Sequence, residues 1–225
     1  MSYGHFDDAD GAYVITDPLP PRPWINYLGN RRLTAFLSQN AGGLLWYKEP
    51  ISRRITRYQY TAAPADRPGF YVYVQDRAHG ELWNPHFAPT CTPLDAFTCR
   101  VTPGVTTFVS SRDGIEAEVA YGVPPADDVF LWRVRLTNQR DAAASLRLAS
   151  YMEFGLLEFL RETIGWCYLQ HQFKVRFDRA AACIQYDYHV FEAPFAPRMV
   201  LGCTDPVTGF DCSREAFLGP TAGYD

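Results

Sequence analysis

Apolar and aromatic residues alternate with polar ones in short runs along most of this chain, and turn residues separate the runs. A period of two predicts strands that bury one face. The runs are Ala12–Thr16, Leu44–Lys48, Ile55–Tyr60, Phe70–Gln75, Phe97–Val101, Thr106–Ser111 and Ile115–Tyr121. Val129–Thr137, Leu146–Phe154, Phe173–Asp178, Cys183–Tyr188 and Met199–Cys203 continue the series. In one of them Phe130, Trp132, Val134 and Leu136 form a wholly apolar set that should face the core. Val129, Leu131, Arg133 and Arg135 should face away. Asp113-Gly114 predicts a tight hairpin, because a two-residue type I′ turn needs positive φ at both positions. Gly155–Leu169 breaks the rhythm. There Leu156, Leu157, Phe159, Leu160, Ile164 and Tyr168 follow helical spacing, with Glu158, Arg161 and Glu162 on the other face. The expectation is an all-β, antiparallel fold with a short helical insertion near 155–169. No repeat or linker divides the chain, so residues 1–225 read as one domain.

Composition supports strands and narrows the partners. The 14 Tyr, 15 Phe and 5 Trp suit a pleated, half-buried surface. A formal charge of -4 with no long basic run argues against a nucleic-acid partner. No run of about 18 apolar residues occurs, so no membrane span is expected. Asp7, Asp8 and Asp10 stand where a secretory signal would be basic and then apolar. Cys91, Cys99, Cys167, Cys183, Cys203 and Cys212 form no C-x-x-C pair and read as free thiols. A reducing, cytoplasmic location follows as the expectation.

Candidate chemistry is sparse. His5, His79, His86, His171 and His189 are scattered without ligand spacing, so neither a metal nor a cofactor is expected. Asp8-x-Asp10-Gly11 imitates the start of a calcium loop, but Tyr13-Val14-Ile15 supplies no later oxygen ligand, and a β-turn is the better reading. Ala41-Gly42-Gly43 reads as a turn. Glu158 and Glu162 lie one helical turn apart on a polar face that Arg161 can screen, and Glu153 reads as a buried, hydrogen-bonded residue. No acid–base pair is assigned from them. Arg53, Arg54 and Arg57 place guanidinium groups on both faces of one strand, the pattern of a structural or subunit-interface cluster, the alternative being bidentate recognition of a phosphate or carboxylate.

Tyr3–Asp8, Tyr13–Thr16, Pro23–Gly29, Ser38–Gly43 and Arg53–Tyr58 together resemble, in the same order, the opening of glycoside hydrolase family 94. These are the cellobiose, chitobiose and cellodextrin phosphorylases, formerly glycosyltransferase family 36. The resemblance implies a β super-sandwich similar to galactose mutarotase, which packs on an (α/α)6 catalytic barrel and helps to form a homodimer. In such enzymes inorganic phosphate attacks a β-glucoside with inversion while a barrel Asp protonates the leaving oxygen. None of those catalytic or phosphate-binding residues falls within this chain, which alone is expected not to catalyse. Phe217-Leu218-Gly219 resembles a block inside the family's sandwich, implying a domain truncated before its last strands, with the barrel absent.

The same resemblance places the acceptor sugar near the segment after Tyr151-Met152-Glu153-Phe154. Where cellobiose phosphorylases carry an Asn-Tyr-Gln-Arg-like run, this chain has Gly165, Trp166, Cys167 and Tyr168, then Gln170 and His171. Trp166, Tyr168 and Gln170 are the candidate acceptor-side residues, the rings being able to stack on a sugar. The alternative is that both rings are core residues of a short helix. The departure opens the acceptor to a longer cellodextrin, an aldonic acid disaccharide or another β-linked sugar. Arg53, Arg54 and Arg57 are then candidate dimer contacts. The rival functions are a free-standing carbohydrate-binding module using Trp83, Trp166 or Tyr168, and a degenerate structural fragment.

Overall fold

The structure, a computed structural model, describes residues 2–59, 66–169, 173–188 and 197–219, with backbone alone at 165–169. In chain order the first strands are β1 (Gly4–Asp7), β2 (Ala12–Ile15), β3 (Ile25–Gly29), β4 (Leu33–Ser38), β5 (Gly43–Tyr47) and β6 (Arg54–Thr56). Next come β7 (Tyr71–Asp76), β8 (Leu82–Trp83), β9 (Ala96–Thr102), β10 (Val105–Arg112), β11 (Ile115–Gly122) and β12 (Leu131–Asn138). The last elements are β13 (Leu146–Tyr151), β14 (Phe154–Leu157), α1 (Phe159–Leu169), β15 (Phe173–Asp178), β16 (Cys183–Tyr188), β17 (Arg198–Gly202) and α2 (Arg214–Leu218).

Every strand pairing is antiparallel. Six strands in the order β1-β2-β9-β10-β11-β12 form one sheet, and β14-β6-β5-β4-β3 form a second. Two three-stranded sheets, β13-β7-β8 and β15-β16-β17, complete the sheets among the described residues. The main core joins the first three sheets: Phe108, Val119 and Tyr121, Leu28, Ala35, Leu37 and Leu45, and Phe70, Val72 and Val74. An all-β fold with a short helical insertion is what the alternation predicts.

Local chemistry accounts for the best-defined pieces. Asp113 and Gly114 take φ of 48° and 72° between β10 and β11, the hairpin their sequence demands. Phe130, Trp132, Val134 and Leu136 pack against the core, while Leu131, Arg133 and Arg135 are exposed. Inside that core the Tyr121 hydroxyl donates to the Phe70 carbonyl at 2.6 Å and stands 2.7 Å from His86 Nε2. Since Tyr121 spends its proton on Phe70, His86 is assigned the Nε2–H tautomer, and full burial lowers its pKa to about 3, keeping it neutral. The turn read at Asp8-x-Asp10-Gly11 joins β1 to β2, and Asp7 and Asp10 hold Arg100 at 3.0 and 2.7 Å.

Three expectations need correction. Leu33–Ser38, absent from the predicted strands, is β4, an inner strand of the second sheet between β5 and β3. Its Ala35, Phe36, Leu37 and Ser38 are all buried, so a strand covered on both faces carries no alternation to read. The predicted Leu146–Phe154 strand divides into β13 and β14, which belong to different sheets. The helix starts at Phe159 rather than Gly155, because Leu157 has φ of 65°, outside the right-handed helical region.

Candidate functional site

β14 meets β6 through a β-bulge: Phe154 pairs with Thr56 and Leu157 with Arg54, so one extra residue lies on β14. A bulge bends its strand and changes the direction in which the chain leaves it. Here it turns the chain into α1, whose entry is fixed by Phe159 N–H donating to the Ile51 carbonyl at 2.7 Å. Gly155 sits in the bulge for a steric reason. A Cβ there would lie 2.7 Å from Glu162 Oε1 and 2.9 Å from the Thr56 carbonyl oxygen.

The space beside Gly155 is filled by a buried ion pair. Arg54 Nη1 donates to Glu162 Oε2 at 2.5 Å, with side-chain exposures of 1% and 3%. Arg54 Nε also donates to the Pro50 carbonyl at 3.2 Å, and its guanidinium lies 5.0 Å from the centre of the Phe159 ring. A cavity of about 250 Å³ lined by Pro50, Ile51, Arg54 and Phe159 opens beside the pair. Desolvation dominates the electrostatics of the acid. Burial pushes Glu162 up to about 7 against the pull of Arg54, then Arg57, with the Leu156 amide weakest.

This placement inverts the polar face read from the sequence. Glu162 is buried, whereas Leu160 and Ile164 are 56% and 82% exposed. Glu158 stays near the surface and holds Arg161 Nε at 2.5 Å. A buried Arg on β6 supplies what helical periodicity omits, a partner distant in sequence.

A second carboxylate lies nearby. Glu153, itself buried, accepts from the Tyr151 hydroxyl at 2.7 Å and from Arg57 Nη1 at 3.1 Å. Arg214 of α2 approaches it to 3.3 Å, and Phe217 packs on Tyr151 with ring centres 4.8 Å apart. Tyr186 closes the far side, donating to the Gly155 carbonyl at 2.9 Å and stacking on Phe154 at 4.8 Å. Burial raises the pKa of Tyr186, so it acts as a neutral donor.

The predicted residues fall around this anchor unevenly. Arg54 and Arg57 make ion pairs within the chain, and Arg53 is half-buried next to them. Trp166 and Tyr168 belong to the last part of α1, and Gln170 lies outside the described residues. Trp83 is 3% exposed in the main core, so it cannot serve as the stacking platform considered for a binding module. Sequence reading missed Asp66, which accepts from the Ser38 hydroxyl and from the Tyr58 hydroxyl at 3.1 Å. Burial raises Asp66 to about 6. Its only sequence signal is a position within a few residues of the Arg53–Tyr58 block.

Among the described residues no group of three or more His, Cys, Asp or Glu side chains could hold a metal ion. No helix among them is long and apolar enough to cross a membrane.

Comparison with known proteins fits this architecture. The sequence profile of the glycosyl hydrolase 94 supersandwich domain matches residues 11–225. The chain belongs to the glycosyl hydrolase 94 family. It is 31% identical over 224 residues to the N,N'-diacetylchitobiose phosphorylase of Vibrio proteolyticus, covering 97% of this chain and 27% of that protein. The solabiose phosphorylase of Paenibacillus borealis is 27% identical, with coverage of 96% and 28%. The cyclic beta-(1,2)-glucan synthase NdvB of Rhizobium meliloti is 26% identical over 98% of this chain but 8% of its own length. This family 94 chain therefore spans little more than a quarter of the phosphorylases it matches.

Proposed function

We propose that this chain is the non-catalytic sandwich portion of a β-glucoside phosphorylase, acting with a separate (α/α)6 catalytic portion. The observation that carries this reading is the match to the supersandwich domain over nearly the whole chain, combined with coverage of 27% of a phosphorylase relative. The work of the chain is to scaffold: it packs against the catalytic portion and contributes to a homodimer, with Arg53 and Arg57 of the arginine cluster as candidate contacts and Arg54, buried under α1, set aside. The end of α1, with Trp166, Tyr168 and the adjoining Gln170, forms one wall of the acceptor-sugar subsite. Aromatic rings suit that task because a sugar ring presents an apolar face to stack on and hydroxyls to hydrogen-bond.

In the assembled enzyme, inorganic phosphate takes the glycosyl group of a β-linked oligosaccharide with inversion. An inverting reaction that uses phosphate as nucleophile needs no carboxylate base. The Glu153 and Glu162 carboxyls support this division of labour, being engaged with Arg57 and Arg54 inside the fold. The test is phosphorolysis. The 225-residue chain with cellobiose or N,N'-diacetylchitobiose and phosphate should release no sugar 1-phosphate. Fused in place of the matching portion of the Vibrio proteolyticus relative, it should restore release. Turnover by the isolated chain would overturn the proposal.

A further inference from the structure

Glu162 stands apart from every other acid in the described chain: it sits on a helix, yet its carboxyl is sealed beneath that helix. Three features make the seat specific. Oε2 holds Arg54 at 2.5 Å. Oε1 lies 2.7 Å from where a Gly155 Cβ would stand, in room that any side chain at 155 would occupy. Oε1 also makes no hydrogen bond among the described residues, and the Leu156 amide exerts only the weakest pull on the carboxyl. A buried carboxylate oxygen without a donor favours the protonated acid, since desolvation penalises the charge.

We propose that Glu162 is the positioning residue of the α1 segment, a proton-controlled anchor that sets how firmly the candidate acceptor wall is held. The proposal rests on the acceptor-wall reading for its biological meaning only. The anchoring itself is a property of the fold.

Among the described residues the surrounding charges are few enough to name. From the β6 side the group meets Arg54 and, further off, Arg57. At the start of α1 Arg161 pairs with Glu158, the residue just before the helix. From β16 Tyr186 faces it, and Tyr188 lies beside Arg161. Both tyrosines are raised by burial, so they stay neutral across the range in question. Glu162 is the group in this set that changes charge near neutrality, with a value pushed up to about 7.

Linkage gives the sign. A carboxyl raised in the docked state binds its proton more tightly there than when released. Docking is strongest when the acid is protonated, weakens as pH rises from its ordinary value through about 7, and is constant above that. Between pH 5.5 and 8 the opening equilibrium should rise on the order of tenfold.

Amide hydrogen exchange of the intact chain, corrected for intrinsic rates, reads this directly. Protection across α1 and β14, read as local opening, should fall on the order of tenfold over that pH range. Glu162→Gln, a neutral isostere, should abolish the pH dependence, and Glu158→Gln should leave it unchanged. Protection in the parent that does not move with pH, or a pH dependence that survives Glu162→Gln, overturns the proposal. The parent series requires no variant, so a misfolded Glu162→Gln protein leaves the test intact. Cellobiose titration followed by Trp fluorescence tests the acceptor-wall reading separately, since that reading can fail while α1 remains anchored by Glu162.

Discussion

The β9–β12 half of the main core and the β6–β14–α1 anchor bury side chains equally well but by different chemistry. In the first, Cys99, Phe108, Ala117, Val119 and Tyr121 lie on the inner face of consecutive hairpins, each 0% exposed. Neighbours in sequence are neighbours in space, and apolar area removed from water supplies the driving force. In the anchor, Arg54 and Glu162 are 1% and 7% exposed and 108 residues apart. Once Glu162 ionises, above about pH 7, two charges are held out of water there, and their attraction must offset a desolvation cost of several kcal/mol for each ion. Apart from the Tyr121 hydroxyl and its partners, the hairpin core asks mainly for apolar volume and alternation, whereas the anchor demands one partner for one residue. Such a pair specifies a position more than it adds stability.

The sharpest way to break that contrast is to remove one member of each region. Phe108→Ala should cost about 3–5 kcal/mol by leaving a cavity, and Arg54→Ala about 3–5 kcal/mol by stranding a buried carboxyl. Urea melts would give similar losses for the two. The double variant Arg54→Met with Glu162→Leu should recover most of the loss, because replacing a buried pair with apolar groups is often neutral. No apolar second change at 162 rescues Phe108→Ala. A double variant as unstable as Arg54→Ala alone would show that the pair contributes net stability.

Next in size is a pH effect outside both regions, useful as a control on the charge argument. Asp66 is raised to about 6 by burial, so it holds a proton more tightly folded than unfolded. Stability should therefore decline as pH rises from about 4 to about 6, by up to about 3 kcal/mol. Asp66→Asn should flatten that slope in chemical melts at a series of pH values.

The smallest effects concern two glycines that matter for different reasons. At Gly155 an added methyl group meets the Thr56 backbone and Glu162, so Gly155→Ala should cost about 1–3 kcal/mol and disturb α1. Gly114 has φ of 72° in a turn, with only the flexible Arg140 side chain near an added Cβ, so Gly114→Ala should cost about 1–2 kcal/mol without disturbing α1. Thermal melts rank the two, and exchange at α1 separates their causes.

Much of the fold was legible because its information is local. Alternation at Val129–Thr137 and the Asp113-Gly114 pair predict β12 and its preceding hairpin, and the structure has both. β4 was not legible, since burial of both its faces erases the alternation that marks a strand. The start of α1 was misread because Leu156 and Leu157 match helical spacing yet serve a bulge, whose register only β6 can set. The family was legible from blocks such as Ser38–Gly43 and Arg53–Tyr58, and the profile match over 11–225 agrees.

The order of residues by itself determined an all-β chain of antiparallel hairpins, its turn between β10 and β11, and its kinship with family 94. Tertiary structure alone decided that Arg54 reaches Glu162, that Glu153 gathers Tyr151, Arg57 and Arg214, and that Trp83 is walled in. The reason is range. Backbone preference and periodicity act over a few residues, whereas desolvation and charge pairing depend on whatever the finished fold brings within about 4 Å.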